Sequence, residues 1–477
     1  MSRRTAEKEE DQAVKTNTSS NLTDCMYLII INFPLRINHL SHLMAKTDQI
    51  REFLQKNNFY IYKDQTRKIS EGYLNEYIET TSPANKRNLN LKENWENIHT
   101  FGKPRRIIVV DLGGTNLNIF DVNVIDKKKI EIKQSISTSF YENKVYTPTI
   151  LFKDLKKELD KFIENPQEKA EIENMVFIFS YPIEQTMNEY GNIDAICIKF
   201  VKEHKSEGIV GLKVGKAFQD YLNNNGYPKI SISATNDTPI HVFAAKAYEI
   251  IHNEKFDAAM NLIVGTGCNV SSAYNEMDIE SKKGLRVINT EFGDFKSLPI
   301  SKFEEELEKN TASPGQHSNE KMISGAYQSA IFKIIINKLI EEGILHANIL
   351  NNLNLEELNS GEIDRLIKEE TMSKDQQDLL GFIWEEINNR GGAICGIFLG
   401  AVMSELHRKL NKPKLKIIIM QTGSVINKNI NFKKSLIQTL DMELIKFEKK
   451  DKITYNLYIM PSQSAYGATI FDTLSIA

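Results

Sequence analysis

A carboxylate, a lysine, two further glutamates and two glycine turns are the residues of this chain whose types can do chemistry. In "SATNDTPIHVFAAKAY" (Ser233 to Tyr248), Asn236-Asp237-Thr238-Pro239 falls where a strand gives way to a helix. A carboxylate such as Asp237 stays ionised beside a helix N-terminus and can take a hydroxyl proton during phosphoryl transfer. The same four residues also make an ordinary N-cap before a proline, and the motif alone does not choose. Lys199 follows the strand and corner "FIFSYP", while Glu291 and Glu320 stand in "INTEFGDF" and "GQHSNEKM". Taken singly, each of these is by default a solvated surface residue.

The glycine turns are more telling as a pair. "IIVVDLGGTNLNIF" and "AMNLIVGTGCNVSSAY" share a plan of apolar strand, two near-adjacent glycines, a small residue, an asparagine and a second strand. The two copies stand about 150 residues apart, which suggests a duplicated unit facing itself across a cleft. The stretch nearest to a Walker A loop, "GLKVGKAF", has the wrong spacing and no hydroxyl after its lysine. Neither glycine pair carries the third glycine of a dinucleotide fingerprint. What is left is a strand–turn–strand clamp whose backbone N–H groups hold phosphates, or a pair of structural turns.

The elements around these residues alternate. "NMVFIFSYP", "PKISISATND" and "KLKIIIMQTGSVI" read as strands, "TPIHVFAAKAYEIIH" and "EKMISGAYQSAIFKIIINKLIEEG" as helices. That alternation predicts an α/β protein. Residues 40–77 have helical periodicity, and the polar stretch "SPANKRNLNLKENWENIHTFGKP" reads as a loop. The chain of 477 residues is long enough for two domains. Sixty Lys and Arg against 63 Asp and Glu leave no field of one sign, which argues against nucleic acid as a partner. Cys25, Cys197, Cys268 and Cys395 are scattered and form no CxxC pair, so neither a zinc site nor a disulfide scaffold is expected. A reducing, cytoplasmic setting follows. Residues 1–39 read as a variable, partly disordered extension, and "MYLIIINF" within it is too short to span a membrane. Sequons at Asn17 and Asn21 are the minority signal for secretion, and two more fall at Asn236 and Asn269.

Taken in order, the motifs resemble those of the hexokinase family of ATP-dependent sugar kinases. "VDLGGTNLNI" is similar to its first phosphate motif, "FIFSYPIEQT" to its sugar-domain corner and "TNDTP" to its catalytic-aspartate segment. "LIVGTGCNV" is similar to its second phosphate motif and "VINTEFGDF" to a sugar-contacting loop. "SPGQHSNEKMISGAY" and "MQTGSVINKNINF" also match, the latter the adenosine motif. The resemblance covers about residues 105–475 and implies a two-domain actin-like (ribonuclease H-like) fold with a cleft between a small and a large domain. The small domain would span 100–235 with a C-terminal helix at 462–477, and the large one 40–99 with 236–461.

It also implies roles. Asp237 would take the proton from the sugar 6-hydroxyl, and Lys199 would hold the sugar and counter charge on the transferred phosphoryl group. Ser180, Asn236, Asn269, Glu291 and Glu320 would line the hexose pocket. Asp111 would orient Mg²⁺ through water. Gly113, Gly114, Thr115, Asn116, Gly265, Thr266 and Gly267 would meet the ATP phosphates, with Gly423 and Ser424 near the nucleoside. The implied activity is transfer of the γ-phosphoryl of MgATP to glucose or a related hexose, the first step of glycolysis. Departures stand mostly on the nucleotide side. Asn118 replaces an arginine, Ile198 a sugar-contacting threonine and Thr422 an aspartate, while Gln463-Ser464-Ala465-Tyr466-Gly467 replaces Gly-Ser-Gly-Lys-Gly. Loss of a phosphate-directed charge costs on the order of 100-fold in rate by analogy with other electrostatic donors. Two alternatives follow: a sugar-binding regulatory protein with weakened catalysis, or a kinase for another hexose such as N-acetylglucosamine.

Overall fold

The computed structural model describes residues 37–475, apart from 83, 92–94, 96–97, 99–103, 115, 127, 141–143, 201–204, 277–283, 312, 351–352 and 368–371. The apolar run "MYLIIINF" and the sequons at Asn17 and Asn21 lie outside the described residues, as does Thr115.

Two sheets carry the architecture. The first holds β1 (Arg105–Leu112), β2 (Asn116–Val124), β3 (Ile130–Ser139), β4 (Asn174–Phe179) and β5 (Ser231–Thr235), in the order 3-2-1-4-5. β1 to β3 form an antiparallel meander, whereas β4 and β5 add in parallel to β1. The second holds β6 (Ala258–Val264), β7 (Cys268–Glu276), β8 (Gly284–Asn289), β9 (Leu415–Thr422) and β10 (Ile453–Tyr458), in the order 8-7-6-9-10. Its pairings repeat those of the first, strand for strand. The duplication read from the two glycine turns is therefore a duplication of the whole five-stranded unit, each turn joining its first two strands. The inner strands run nearly continuously buried, as strands covered on both faces must.

Helices are labelled here where they position the site: α1 (Ile37–Lys56), α2 (Lys63–Thr80), α3 (Asp237–His252), α4 (Lys374–Leu410), α5 (Ile430–Lys446) and α6 (Gln463–Ser475). α3 follows the fifth strand of one unit and α6 the fifth strand of the other. The two helices lie in one apolar core with residues from both sheets: Val109 and Ile178 from the first, Ala259 and Met420 from the second, Phe243 and Phe471 from the helices themselves. α3 is apolar nearly all round because it is covered on all sides. Its charged pair, Lys246 and Glu249, is buried but satisfied, with Nζ to Oε2 at 2.7 Å and a further bond to Glu249 from Trp95 Nε1.

Three expectations differ in detail. The helical stretch 40–77 is two helices, because Asn58 takes a left-handed conformation (φ +57°) and turns Phe59 into the core. The polar stretch before β1 contains a short strand, Leu89–Leu91, that pairs with β8 and buries Leu89. "EKMISGAY" breaks at Ser324, where Gly325 N–H donates to Gly265 O (2.7 Å) and docks the chain on the second glycine turn. Cys197, Cys268 and Cys395 are buried free thiols. Among the described residues no helix is long and apolar enough to cross a membrane.

The glycine-rich run near residue 400 lies inside the 37-residue α4. Gly392, Gly396 and Gly400 face α5, so closely that a Cβ at Gly392 would run into the Phe432 carbonyl oxygen. The Gly392→Ala variant should therefore lose about 1–3 kcal/mol in urea unfolding, although alanine is the better helix former. A neutral or stabilising result would contradict this packing.

Candidate active site

The first turn begins at Asp111, paired across the hairpin with Asn118. Gly113 N–H donates to Asn116 O (2.9 Å), which closes the turn and leaves Asn116 exposed. Asp111 is 8% exposed, and its Oδ2 accepts from Ser464 Oγ (2.8 Å) and from Asn118 Nδ2 (3.4 Å). Gly114 adjoins it in the same turn. The second turn is closed by Gly265 N–H to Gly267 O (2.9 Å), with Thr266 at its exposed tip. Its glycines are needed by the protein itself as well as by any ligand. A Cβ on Gly267 would stand 2.6 Å from Glu320 Oε2, and one on Gly265 would stand 3.4 Å from Gly423 Cα. Gly423 has φ +109°, and a Cβ there would strike the Val264 carbonyl. The segment carrying Gly423 and the exposed Ser424 is thus seated directly on the second turn.

The head of α3 shows which residue caps the helix. Asn236 is the N-cap: its Oδ1 accepts from Thr238 N–H (3.0 Å), while its Nδ2 donates to Tyr181 O (3.2 Å), next to Ser180. Asp237 is the first helical residue and is not used as a cap. Its Oδ1 accepts from Thr238 Oγ1 (3.2 Å), and Thr238 Oγ1 in turn accepts from Asn269 Nδ2 (3.1 Å). Asn269 Nδ2 also donates to Asn289 Oδ1 (2.9 Å), and Asn289 Nδ2 donates to Glu291 Oε1 (3.0 Å). One line of hydrogen bonds therefore joins Asp237 to Glu291 through three neutral side chains. Glu320 approaches from the far side, its Oε2 accepting from Cys268 N–H (3.0 Å). Ser180, buried at the end of β4, is fixed by its N–H to Leu112 O (3.1 Å).

The charges in this cluster push against each other. Burial raises Glu291 to about 7, the Arg87 charge opposes that rise, Asp294 and Asp237 add to it, and the Asn289 hydrogen bond opposes it. Burial would also raise Asp294, but the His317 side chain (Nδ1 to Oδ1, 2.7 Å) outweighs it and holds Asp294 below the ordinary carboxylate range. The same bond lifts His317 above its ordinary value. This ion pair stabilises the loop from the depressed titration of Asp294 up to the raised titration of His317, and is lost as pH rises through the latter.

Asp237, Asn269 and Glu291 are thus joined in one hydrogen-bonded line, with Asn236 tied to Tyr181 next to Ser180 and Glu320 tied to Cys268 next to Asn269. Lys199 is placed differently. It is exposed, its Nζ donates to Gln316 Oε1 (2.7 Å), and it makes no ion pair with Asp237. Of the departures, Ile198 is 36% exposed beside it, and Tyr466 is half-buried against the core between the sheets. The sequons at Asn236 and Asn269 have both amide nitrogens engaged in hydrogen bonds. Sequence reasoning missed Thr238, Asn289, Arg87 and His241. All four lie within stretches quoted above, Thr238 and Asn289 inside motifs that resemble the family's and Arg87 and His241 outside them.

Duplicated five-stranded units, each with a glycine turn between its first two strands, and a helix pair between them are the architecture of the actin-like sugar-kinase fold. A solved hexokinase from Schistosoma mansoni, described as complexed with glucose, superposes with a TM-score of 0.72 at 19% identity, covering 90% of this chain and 99% of that one. Two family models, both described as hexokinase, match residues 50–248 and 259–473. The chain belongs to the hexokinase family. It is 27% identical over 368 residues to hexokinase-1 of Schizosaccharomyces pombe, covering 69% of this chain and 72% of that protein. It is also 27% identical over 360 residues to human hexokinase-2, covering 70% of this chain but only 38% of that relative's length.

The opposing charges around Glu291 give a test by carboxyl ¹³C NMR. Its midpoint should lie near 7, rise in Arg87→Ala and fall in Asp237→Asn, because the first removes a favourable charge and the second an unfavourable one. Shifts in one common direction would contradict the arrangement.

Proposed function

We propose that this chain is a hexokinase transferring the γ-phosphoryl group of MgATP to the 6-hydroxyl of glucose or a related hexose. The observation that carries the proposal is the hydrogen-bonded line from Asp237 to Glu291, laid between two glycine turns. In this reading Asp237 receives the hydroxyl proton. Thr238 holds one of its oxygens, so the other is left for the substrate. Asn236, Asn269, Glu291, Glu320 and Ser180 supply fixed donors and acceptors, each of which penalises a sugar epimer that leaves it unpaired. In this reading Lys199 would exchange its bond to Gln316 (2.7 Å) for the sugar or the phosphoryl group.

The nucleotide side fits a magnesium–nucleotide pair in the chemistry of its donors. Mg²⁺ takes one or two carboxylates plus substrate phosphates and keeps several waters. Asp111 offers one buried carboxylate at the mouth of a glycine turn, oriented by Ser464 and Asn118. When bound, the ion would neutralise charge on the transferred phosphoryl group. The Gly113 and Gly265 N–H groups close their turns, so the backbone of Gly114 to Asn116 and of Thr266 and Gly267 would meet the phosphates, with Gly423 and Ser424 near the nucleoside. The domains that close on the sugar would be 100–235 with 462–477, and 40–99 with 236–461. The three buried thiols suit a cytoplasmic setting.

A sugar-binding regulatory protein is the second reading. Asn118, Thr422 and Tyr466 leave neutral side chains on the nucleotide side, and Thr422 is occupied by Gln463 (2.9 Å). Phosphoryl transfer followed by ³¹P NMR, with MgATP and a panel of hexoses including N-acetylglucosamine, separates the two. The kinase reading expects a hexose 6-phosphate whose formation Asp237→Ala abolishes while glucose affinity, by calorimetry, stays within a few-fold. Glucose bound without turnover in the unaltered chain would favour the regulatory reading.

A further inference from the structure

Asp111 and Asp237 stand on different elements, and a second line of hydrogen bonds ties those elements together. Ser464, at the head of α6, donates its hydroxyl to Asp111 Oδ2 (2.8 Å) and lies 3.0 Å from Nε2 of His241. His241 sits one turn after Asp237 on α3 and is 6% exposed. Its main chain is pinned too: Gln463 Nε2 donates to His241 O (3.3 Å) and to Asn261 Oδ1 (3.2 Å), while Gln463 Oε1 accepts from Thr422 Oγ1 (2.9 Å). Thr422 and Gln463, both departures from the family pattern, are therefore partners in one network and not separate losses.

The directions of these bonds fix the ring's tautomer. Serine has one hydroxyl proton, and a carboxylate only accepts. That proton is committed to Asp111, so the bridge to His241 needs a proton on Nε2. Nδ1 is then the bare nitrogen, and among the described residues no hydrogen-bond partner lies against it. Burial pushes the imidazole below its ordinary value against the pull of Asp237, which keeps a single proton on the ring.

We propose that His241 is a positioning residue: through its Nε2–H it holds Ser464, and through Ser464 it keeps the Asp111 carboxylate in register with Asp237. The role rests on the reading of Asp111 as the carboxylate that faces the metal–phosphate group. A ring that merely filled space would be indifferent to which nitrogen carries the proton, and so to which amide replaces it. Glutamine places an N–H near the reach of Nε2, whereas asparagine places one near Nδ1.

The test uses the full chain, with ¹⁵N-histidine NMR for the tautomer and water-proton relaxation for Mn²⁺ binding in the presence of ATP. The wild-type His241 should show the Nε2–H signature, and Ser464→Ala should disturb it. His241→Asn and Ser464→Ala should each weaken Mn²⁺ binding by about 10- to 100-fold, the usual effect of removing a residue behind a metal-facing carboxylate. Glucose affinity should stay within about twofold on that basis, His241→Gln should recover most of the loss, and the double variant should be no worse than either single one. An Nδ1–H or doubly protonated ring, equal losses in the Asn and Gln variants, or losses that multiply in the double variant would each overturn the role. A wild-type chain that binds no Mn²⁺ with ATP would remove the nucleotide reading first, and this role with it.

Discussion

The close crossing of α3 and α6 between the two sheets is the contact on which the rest depends. Gly467 makes it possible, since any Cβ there would run into the carbonyl oxygen of Ile240. With the two backbones in near contact, each helix can pack on a different sheet and still share one core with its counterpart. Packing this close resists even one added methyl group, so a side chain at Gly467 would push the two helices apart. The glycine turns project from the first strand of each sheet, and the cleft is set by the same crossing.

Two kinds of bonding follow from that geometry. Toward the second unit, neutral side chains carry the line from Asp237 to Glu291 through part-buried hydrogen bonds. Toward the first unit, His241 and Ser464 carry a shorter line to Asp111. α3 is the common member of both, because it starts at the cleft and runs back between the sheets. Neutral amides and hydroxyls suit this place: an unpaired charge here would bear the full desolvation cost, whereas a satisfied amide holds its neighbour at little cost.

Much of this was legible from the chain, for physical reasons. Glycine pairs between apolar strands mark turns with close backbone approach, and both turns are found. The strand-to-helix junction at Asn236 and Asp237 was visible because a capping residue and a proline punctuate it; the sequence could not say which residue caps. Expectations failed where local pattern and tertiary contact disagree. Leu89–Leu91 is a strand only because β8 offers its edge, and helix 318–323 stops at Ser324 only because Gly325 docks on Gly265. His241 and Ser464 are 223 residues apart, and Ser464 and Asp111 are 353 apart. Single long-range hydrogen bonds of that kind leave no spacing to read. Lys199 shows the opposite case, a residue found by motif whose partner in the structure, Gln316, lies in a segment that was read only for Glu320.

The most direct measurement is a crystal structure of the full chain with glucose, Mg²⁺ and a non-hydrolysable ATP analogue. The account predicts glucose O6 within hydrogen-bond reach of the Asp237 carboxylate, about 2.6–3.2 Å, with the phosphates against the backbone N–H groups of the two glycine turns. Glucose seated with O6 turned away from Asp237, or phosphates held elsewhere, would contradict it.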